Sequence, residues 1–363
     1  MKVLHITGMH STKYGGLEKF NIELLKQGVE LILLYNSEIS CDDYKREVEQ
    51  LGAKVYALRG GKLSQLKQVI SIVRAHRPDI IHFHFGGLKY ILSPLLRILF
   101  PRLPQITTQH CELWDVDVVN NMIIQLFYKC QDRIISVSKL VMEDLIRRYG
   151  CANKSEVIYL GVKKKPVKNR DLKQELSIPD QSIIFTTLGW DIYIKGYDTL
   201  ISAIDVLRQR AMPPFIVLII GLPEVEQAKI APMIESNGLT DYVKSVGVRN
   251  DVDDFLAITD IYLQPSRTEA LPLSIMEALC HKLPIIATNV GGVSEICINK
   301  YNGILIEKED PQSLANAMEE LLDFTIRHNY STHAEDVSMH FTLDKQVSEL
   351  VRVYKNVASK VII

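Results

Sequence analysis

The sequence predicts an α/β protein made of two doubly wound parallel sheets, and three observations predict it. Short β-branched and aliphatic runs alternate with amphipathic segments along the 363 residues. Most of those runs are continuously apolar rather than alternating, which is the pattern of strands covered by helices on both faces. A polar break near Gly161 divides the alternation into two halves. With 47% hydrophobic and 23% charged residues the chain is globular, which excludes wholesale disorder, collagen-like repeats and disulfide scaffolds.

In the first half, strands are expected at 3–7, 30–35, 54–58, 79–85, 105–108 and 133–138. Helical periodicity falls between them at 17–28, 43–51, 63–75, 119–131 and 139–149. Gly161 then opens a segment, 163–171 and Pro179-Asp180, that is poor in large apolar side chains. Strands resume at 183–188, 215–220, 243–246, 261–264, 284–288 and 303–306, with helices at 196–209, 225–237, 251–258, 273–281 and 311–324. Two further helical patterns, 331–340 and 343–358, follow without another strand. The expected domains are residues 1–162 and 163–340, Rossmann-like and facing a central cleft. Residues 341–363 form a terminal helix able to return to the first domain. In such sheets ligands bind beyond the carboxyl ends of the strands.

The net charge of −1 excludes a dedicated, strongly basic nucleic-acid binder. It divides into about +5 for residues 1–162 and about −6 for the rest, which either suits the first half to an anionic partner or reflects a chance distribution of surface charge. Six scattered cysteines without metal-ligand spacing read as the reduced thiols of a cytoplasmic protein. Met1-Lys2 runs straight into Val3-Leu4-His5-Ile6 without a leader-type cleavage site, and no apolar stretch approaches the roughly 20 residues of a membrane span. The apolar segment 88–100, flanked by Lys89, Arg97 and Arg102, admits two readings. It is either a buried sheet-covering helix or an interfacial patch making peripheral contact with the cytoplasmic membrane face.

Four places can carry chemistry. Gly15-Gly16-Leu17-Glu18 follows the first strand and opens a helix, where backbone amides can approach an anion or simply make a tight turn. Lys195-Gly196 stands at the start of another helix, after a strand ending in Gly189-Trp190, so the lysine can reach a phosphate over the helix start or lie in solvent. His110 ends a strand, whereas His82 and His84 alternate inside one and read as core residues. In the stretch from Pro265 to Ala278, Pro272 suits a first helical turn, which leaves Glu269, Ala270 and Leu271 in a loop at a strand's carboxyl end. Glu269 and Glu277 can grip hydroxyls at two ends of an elongated ligand, or serve as a helix-start charge and a surface residue. Asp115-Val116-Asp117 and Asp251-Val252-Asp253-Asp254 look like metal-binding acids but read better as loop and helix-start residues, so no metal is expected.

Glu269 and Glu277, with seven residues between them, resemble the EX7E motif of retaining GT-B glycosyltransferases of family 4, and the resemblance runs nearly the full chain. Gly15-Gly16-Leu17-Glu18 resembles that family's GGxE loop, and Asp79-Ile80-Ile81-His82-Phe83-His84 its DIIHxH strand. Thr107-Thr108-Gln109-His110, Ile134-Ile135-Ser136-Val137-Ser138-Lys139, Val157-Ile158-Tyr159-Leu160-Gly161-Val162 and Val290-Gly291-Gly292-Val293-Ser294-Glu295-Ile296 resemble further segments in the same order.

The resemblance implies a nucleotide-sugar donor, UDP- or GDP-linked, and a saccharide or lipid-linked acceptor in cell-surface polysaccharide or glycolipid synthesis. No further cofactor is implied. It assigns Glu277 to the ribose, Glu269 with the Ala270 and Leu271 amides to the sugar, and Lys195 with Gly15 and Gly16 to the diphosphate. His110 would touch the transferred sugar, and Val248 and Arg249 the base. Trp190 stands where the family usually has a diphosphate-binding arginine, with Arg267 and Arg249 as candidate replacements for its charge. That departure keeps two alternatives open: a nucleotide-sugar binder with weakened or lost catalysis, and a nucleotide-sugar epimerase of the same fold. Neither half carries the GxGxxG of a dinucleotide-dependent oxidoreductase.

Overall fold

The computed structural model describes the chain except residues 9–14, 112, 114–116, 169 and 360–363. It divides into two units, Met1–Gly161 with Leu343–Ile363, and Val162–Thr342.

The first unit runs β1 (Lys2–Thr7), α1 (Gly16–Lys26), β2 (Glu30–Tyr35), α2 (Asp42–Gln50), β3 (Lys54–Ala57), α3 (Lys62–His76), β4 (Ile80–Phe83) and α4 (Lys89–Leu99). It continues with β5 (Gln105–Gln109), α5 (Val118–Lys129), β6 (Arg133–Ser136), α6 (Lys139–Tyr149) and β7 (Ser155–Val157). Its seven strands lie in the order β3-β2-β1-β4-β5-β6-β7, with every pairing parallel. β7 was not expected: Ser-Glu-Val is a half-exposed three-residue edge strand without an apolar run to announce it.

The second unit runs α7 (Leu172–Glu175), β8 (Ile183–Leu188), α8 (Tyr197–Arg208), β9 (Phe215–Ile220), α9 (Glu224–Ser236), β10 (Val243–Gly247) and α10 (Val252–Ala257). It continues with β11 (Ile261–Gln264), α11 (Leu273–Cys280), β12 (Ile285–Thr288), β13 (Gly303–Ile306), α12 (Pro311–Glu320) and α13 (Phe324–Ser338). Its parallel sheet has the order β10-β9-β8-β11-β12-β13. The helix expected at 311–324 stops early because Asp323 caps a new one, its carboxylate accepting from the amides of Thr325 and Ile326. The polar segment before α7 is fastened to this unit by the acids near α10. Asp253 accepts from the Lys165 amide, Asp254 from the Lys168 amide, and Asp251 pairs with Arg170 at 2.8 Å. These carboxylates are therefore engaged by the linker rather than left for a metal.

The last helix, α14 (Leu343–Ser359), belongs to the first unit. Leu343, Val347, Leu350, Tyr354 and Val357 recur at helical spacing and join the core formed by Val3, Phe20 and Leu33.

Each sheet is open at a switch point, and close backbone approach marks both. A Cβ at Gly8 would lie 2.4 Å from the Cα of Gly86, so the ends of β1 and β4 can cross only as glycines. Gly196 precedes α8 with φ +63°, and a Cβ there would lie 2.1 Å from the Pro265 carbonyl oxygen. That contact lays the β8–α8 loop against the end of β11, which brings Lys195 to Glu269.

Candidate functional site

At the carboxyl end of the second sheet, Lys195 Nζ donates to Glu269 Oε1 at 2.6 Å, with both side chains only 12% exposed. The same oxygen accepts from Gln264 Nε2 at 2.7 Å and Ser266 Oγ at 2.8 Å. Gln264 is oriented in turn, its Oε1 accepting from the hydroxyls of Tyr262 (2.8 Å) and Ser274 (2.9 Å). Gln264, Ser266 and Tyr262 are fully buried, so the network is a rigid stand for one carboxylate. Three donors on Oε1 stabilise the anion and reduce its nucleophilicity, while no described residue bonds Oε2. The loop bearing Glu269 is pinned from behind, where the Gly292 amide donates to the Ala270 carbonyl at 3.0 Å. Ala270 and Leu271 lead into the start of α11, and Glu277 lies partly buried on that helix. Sequence reasoning missed Gln264, Ser266 and Ser274. Their signal was polar residues closing an otherwise apolar strand beside the paired glutamates.

The two arginines proposed to replace the missing charge are committed elsewhere. Arg267 grips Asp198 with both terminal nitrogens (2.8 and 2.6 Å), donates from Nε to Glu309 at 2.7 Å, and lies over the Tyr193 ring. It also donates to the Tyr193 carbonyl at 2.7 Å, so it clamps the β8–α8 loop. Arg249 is bidentate on Asp251 at 2.9 and 2.7 Å and stacks over Phe255. Trp190, 55% exposed in the clamped loop, and Val248, exposed after β10, bring apolar surface to this end of the sheet. Arg267→Ala is expected to destabilise the second unit by about 2 kcal/mol, lowering its Tm by about 5 °C, because charged hydrogen bonds are lost. Differential scanning calorimetry checks this, and an unchanged unfolding temperature would contradict the clamp.

In the first unit, α1 starts at Gly16, and the Gly15 amide donates to Glu18 Oε2 at 3.0 Å, so that N–H is already occupied. Asp117, the described member of the Asp115-Val116-Asp117 pair, caps α5 by accepting from the Asn120 amide; Asp115 and Val116 lie outside the described residues.

Behind the strand ends stands a chain of buried imidazoles whose protons can be assigned by elimination. Asn21 Nδ2 donates to the Tyr44 hydroxyl at 3.0 Å, so its Oδ1 accepts from His5 Nδ1 at 3.0 Å. His5 Nε2 then accepts from the Tyr354 hydroxyl at 2.9 Å, and that oxygen accepts from His82 Nδ1. His82 Nε2 is left to accept from Thr108 Oγ1 at 2.8 Å. The ligand atoms of His5, His82 and His84 lie within 4.8 Å of one another, but both nitrogens of His5 and His82 are engaged, so a metal would displace an already satisfied network.

His84 Nδ1 meets His110 Nε2 at 3.0 Å, while its own Nε2 has no partner among the described residues. An orphaned buried N–H is the costlier arrangement, which puts the His84 proton on Nδ1. His110, stacked on Phe85 at 4.2 Å, therefore carries its proton on Nδ1. Burial holds the rings neutral. His5 is pushed down to about 4, and His82 and His84 fall well below the ordinary value through burial and their charged-form neighbours. Burial and the nearby Lys89 push His110 down to about 3.

The chain is similar to known glycosyltransferases over most of its length. Residues 168–336 match the family model described as glycosyl transferases group 1, and residues 15–165 match glycosyltransferase family 4. The chain is 28% identical over 310 residues, 80% of each protein, to the UDP-Gal:alpha-D-GlcNAc-diphosphoundecaprenol alpha-1,3-galactosyltransferase of Escherichia coli. It is 24% identical over 306 residues to the N-acetyl-alpha-D-glucosaminyl L-malate synthase of Bacillus anthracis, covering 81% of this chain and 79% of that one. Among solved structures, Anabaena HepE in complex with UDP superposes with a TM-score of 0.84 at 21% identity, covering 98% of this chain and 100% of that one. Two parallel sheets of the GT-B type, with both family models spanning most of the sequence, place the chain in glycosyltransferase family 4.

Proposed function

We propose that this glycosyltransferase moves the sugar of a UDP- or GDP-sugar, with retention of anomeric configuration and without a metal, onto a saccharide or lipid-linked acceptor. The observation that carries the reading is the Lys195–Glu269 pair held between the starts of α8 and α11. An ammonium has three N–H donors. One already lies on Glu269, leaving two for phosphate oxygens, and helix-start amides add partial positive charge. The E. coli relative, named for UDP-galactose and an undecaprenol-linked acceptor, supports both halves of the reading.

Glu269 suits a sugar hydroxyl, accepted at Oε2, rather than attack on the anomeric carbon, because Oε1 is saturated by donors. Without a carboxylate nucleophile, retention follows from front-face displacement. The bond from the anomeric carbon to the phosphate oxygen breaks, and the acceptor oxygen bonds to the same face. The acceptor's proton passes to the departing phosphate. The protein's part is to position the reactants and stabilise the developing diphosphate charge. The resemblance gives Glu277 to the ribose and His110, a neutral N–H donor, to the transferred sugar.

Incubating the protein with a panel of UDP-, GDP- and ADP-sugars and measuring free nucleoside diphosphate tests the reading. Release from one donor, with the product's anomeric configuration read by NMR once an acceptor is found, supports it. Donor binding without release, with or without extracts containing acceptors, would instead favour a binder. His84→Phe is expected to lower turnover about fivefold, the worth of one neutral hydrogen bond, with little change in stability because an orphaned buried nitrogen is removed as well. Parallel kinetics and thermal melts check both halves of that expectation.

A further inference from the structure

The turn from β4 into α4 carries a buried cation with no counter-ion among the described residues. α4 buries Leu92 and Leu96 in the core that holds Ile81 and Phe83, and it leaves Ile91, Ile98 and Leu99 exposed. The sheet-covering reading of segment 88–100 therefore holds for the inner face of the helix. Lys89, the first helical residue, is the exception among these apolar neighbours, and it is only 6% exposed. A lysine buried to this degree is almost always paired. Here the ammonium makes no hydrogen bond or ion pair with a described residue, and lies over the rings of Tyr90 and Phe127, 5.4 and 5.5 Å from their centroids. Burial pushes it down to about 8, so it is still charged at neutral pH.

The place of this charge in the fold is where a ligand is expected. β1 and β4 are neighbours from which the chain winds outward in opposite directions, so their carboxyl ends flank the switch point of the first sheet. Gly86 and Gly87 join β4 to α4. Gly86 takes φ +89°, and a Cβ added at Gly87 would meet nothing within 4 Å, so the turn faces open space. α4 is eleven residues long and has no side-chain cap. Among the described residues nothing accepts from the amides of Gly86, Gly87, Leu88 or Lys89. A side chain at the first helical position leans back towards the helix start, so ammonium, amides and helix dipole act at one end. The ammonium is also near enough to His110 to depress that imidazole. Of the acids close in sequence, Asp117 is taken up by the α5 cap, and Asp132 pairs with Arg97 at the amino end of β6. Glu112 and Asp115 lie outside the described residues.

We propose that Lys89 and the amides opening α4 bind a phosphate group of the acceptor, so that the acceptor is a phosphate-bearing saccharide or lipid-linked sugar. Backbone N–H groups at a helix start beside a point-charge ammonium suit a phosphate oxygen cluster. That the phosphate is the acceptor's rests on the proposed function. There the donor's diphosphate belongs to Lys195 and the transferred sugar to His110, so an anion gripped beside His110 is that sugar's next partner.

The test is calorimetric titration of the full chain carrying Lys195→Ala, which weakens the competing diphosphate site. The probes are glucose 1-phosphate, geranyl diphosphate and the neutral methyl α-glucoside. Saturable binding is expected for the phosphate probes alone, weakened at least about tenfold by adding Lys89→Met, the worth of a hydrogen bond to a charged group. Adding Gly87→Asp instead should weaken it similarly by like charge, and that exposed position leaves the core untouched. The tighter of the two phosphate probes tells whether the phosphate arrives on a lipid or on a soluble sugar. No saturable phosphate binding, or binding undiminished by both substitutions, would overturn the proposal. A loss of UDP affinity in Lys89→Met as large as the loss for the phosphate probes would give the lysine to the donor and overturn it too. Lys89→Met should melt no lower than wild type, because an unpaired buried charge is removed. A large drop in Tm, matched by Glu112→Gln, would make the lysine an internal ion-pair partner and likewise overturn the proposal. Phosphate binding as expected, without any donor turnover, would count against the transfer reading and leave the phosphate site standing.

Discussion

Lys195→Ala is expected to slow release of nucleoside diphosphate from the preferred donor by about 10²–10³-fold, the usual cost of removing one preorganised charge-stabilising group. The size follows from what surrounds it. Arg267 and Arg249 are held by carboxylates, and Trp190 brings no charge, so in the proposed transfer it is the ammonium of Lys195 that meets the developing diphosphate. The variant should still fold, because Glu269 keeps Gln264 and Ser266 as donors. Glu269→Ala is expected to cost as much, by losing the proposed sugar contact and leaving three buried donors aimed at nothing. Since the two side chains touch at 2.6 Å, the double variant should be scarcely slower than the worse single one. A coupled assay for free nucleoside diphosphate, with binding of donor measured alongside, reads all three. Turnover within about threefold of wild type in Lys195→Ala would remove the lysine from the mechanism.

The second large effect is on stability against pH. In the unfolded chain the four imidazoles titrate near 6.5. In the fold His5 titrates near 4 and His110 near 3, with His82 and His84 lowered as well. Between the folded and unfolded values the unfolded chain binds more protons, so stability is full above pH 6.5 and declines as pH falls towards 4. It levels off only where the folded rings also protonate. For His5 alone, the shift to about 4 corresponds to roughly 3 kcal/mol. Several such rings in one unit rival the 5–15 kcal/mol that typically holds a domain together. Near pH 5 the first unit is therefore expected to open while the second stays folded. Hydrogen exchange followed peptide by peptide from pH 7.5 to 4.5 separates the two units. Equal protection of β1 and β4 across that range would contradict the buried neutral network.

Particular residues show where sequence reading reached and where it stopped. Continuous apolar runs such as Phe215–Ile220 announced strands buried on both faces, and they lie inside a parallel sheet. The loop holding Glu269, Ala270 and Leu271, between β11 and α11, was legible because Pro272 marks the helix start and the glutamate spacing is a local signal. Gln264 and Ser266 passed unnoticed, since a polar side chain in a strand reads as a generic core residue until its partners are known. Arg267 looked like a spare cation, and nothing in its spacing pointed to Asp198 or Glu309, 69 and 42 residues away.

The sequence by itself determined the alternation of strands and helices, their parallel winding, the glycosyltransferase character and the loops from which chemistry would come. Periodicity and turn residues are local records of burial and backbone conformation, so they survive without a fold. Only the tertiary structure decided the proton arrangement of the histidines, because Tyr354 reaches His5 across 349 residues and His82 across 272. Only it showed that the apolar helix has one buried and one exposed face, and that two arginines are already paired. A side chain's charge and polarity are written at its own position, but what neutralises or satisfies it is chosen by packing between segments distant in the chain.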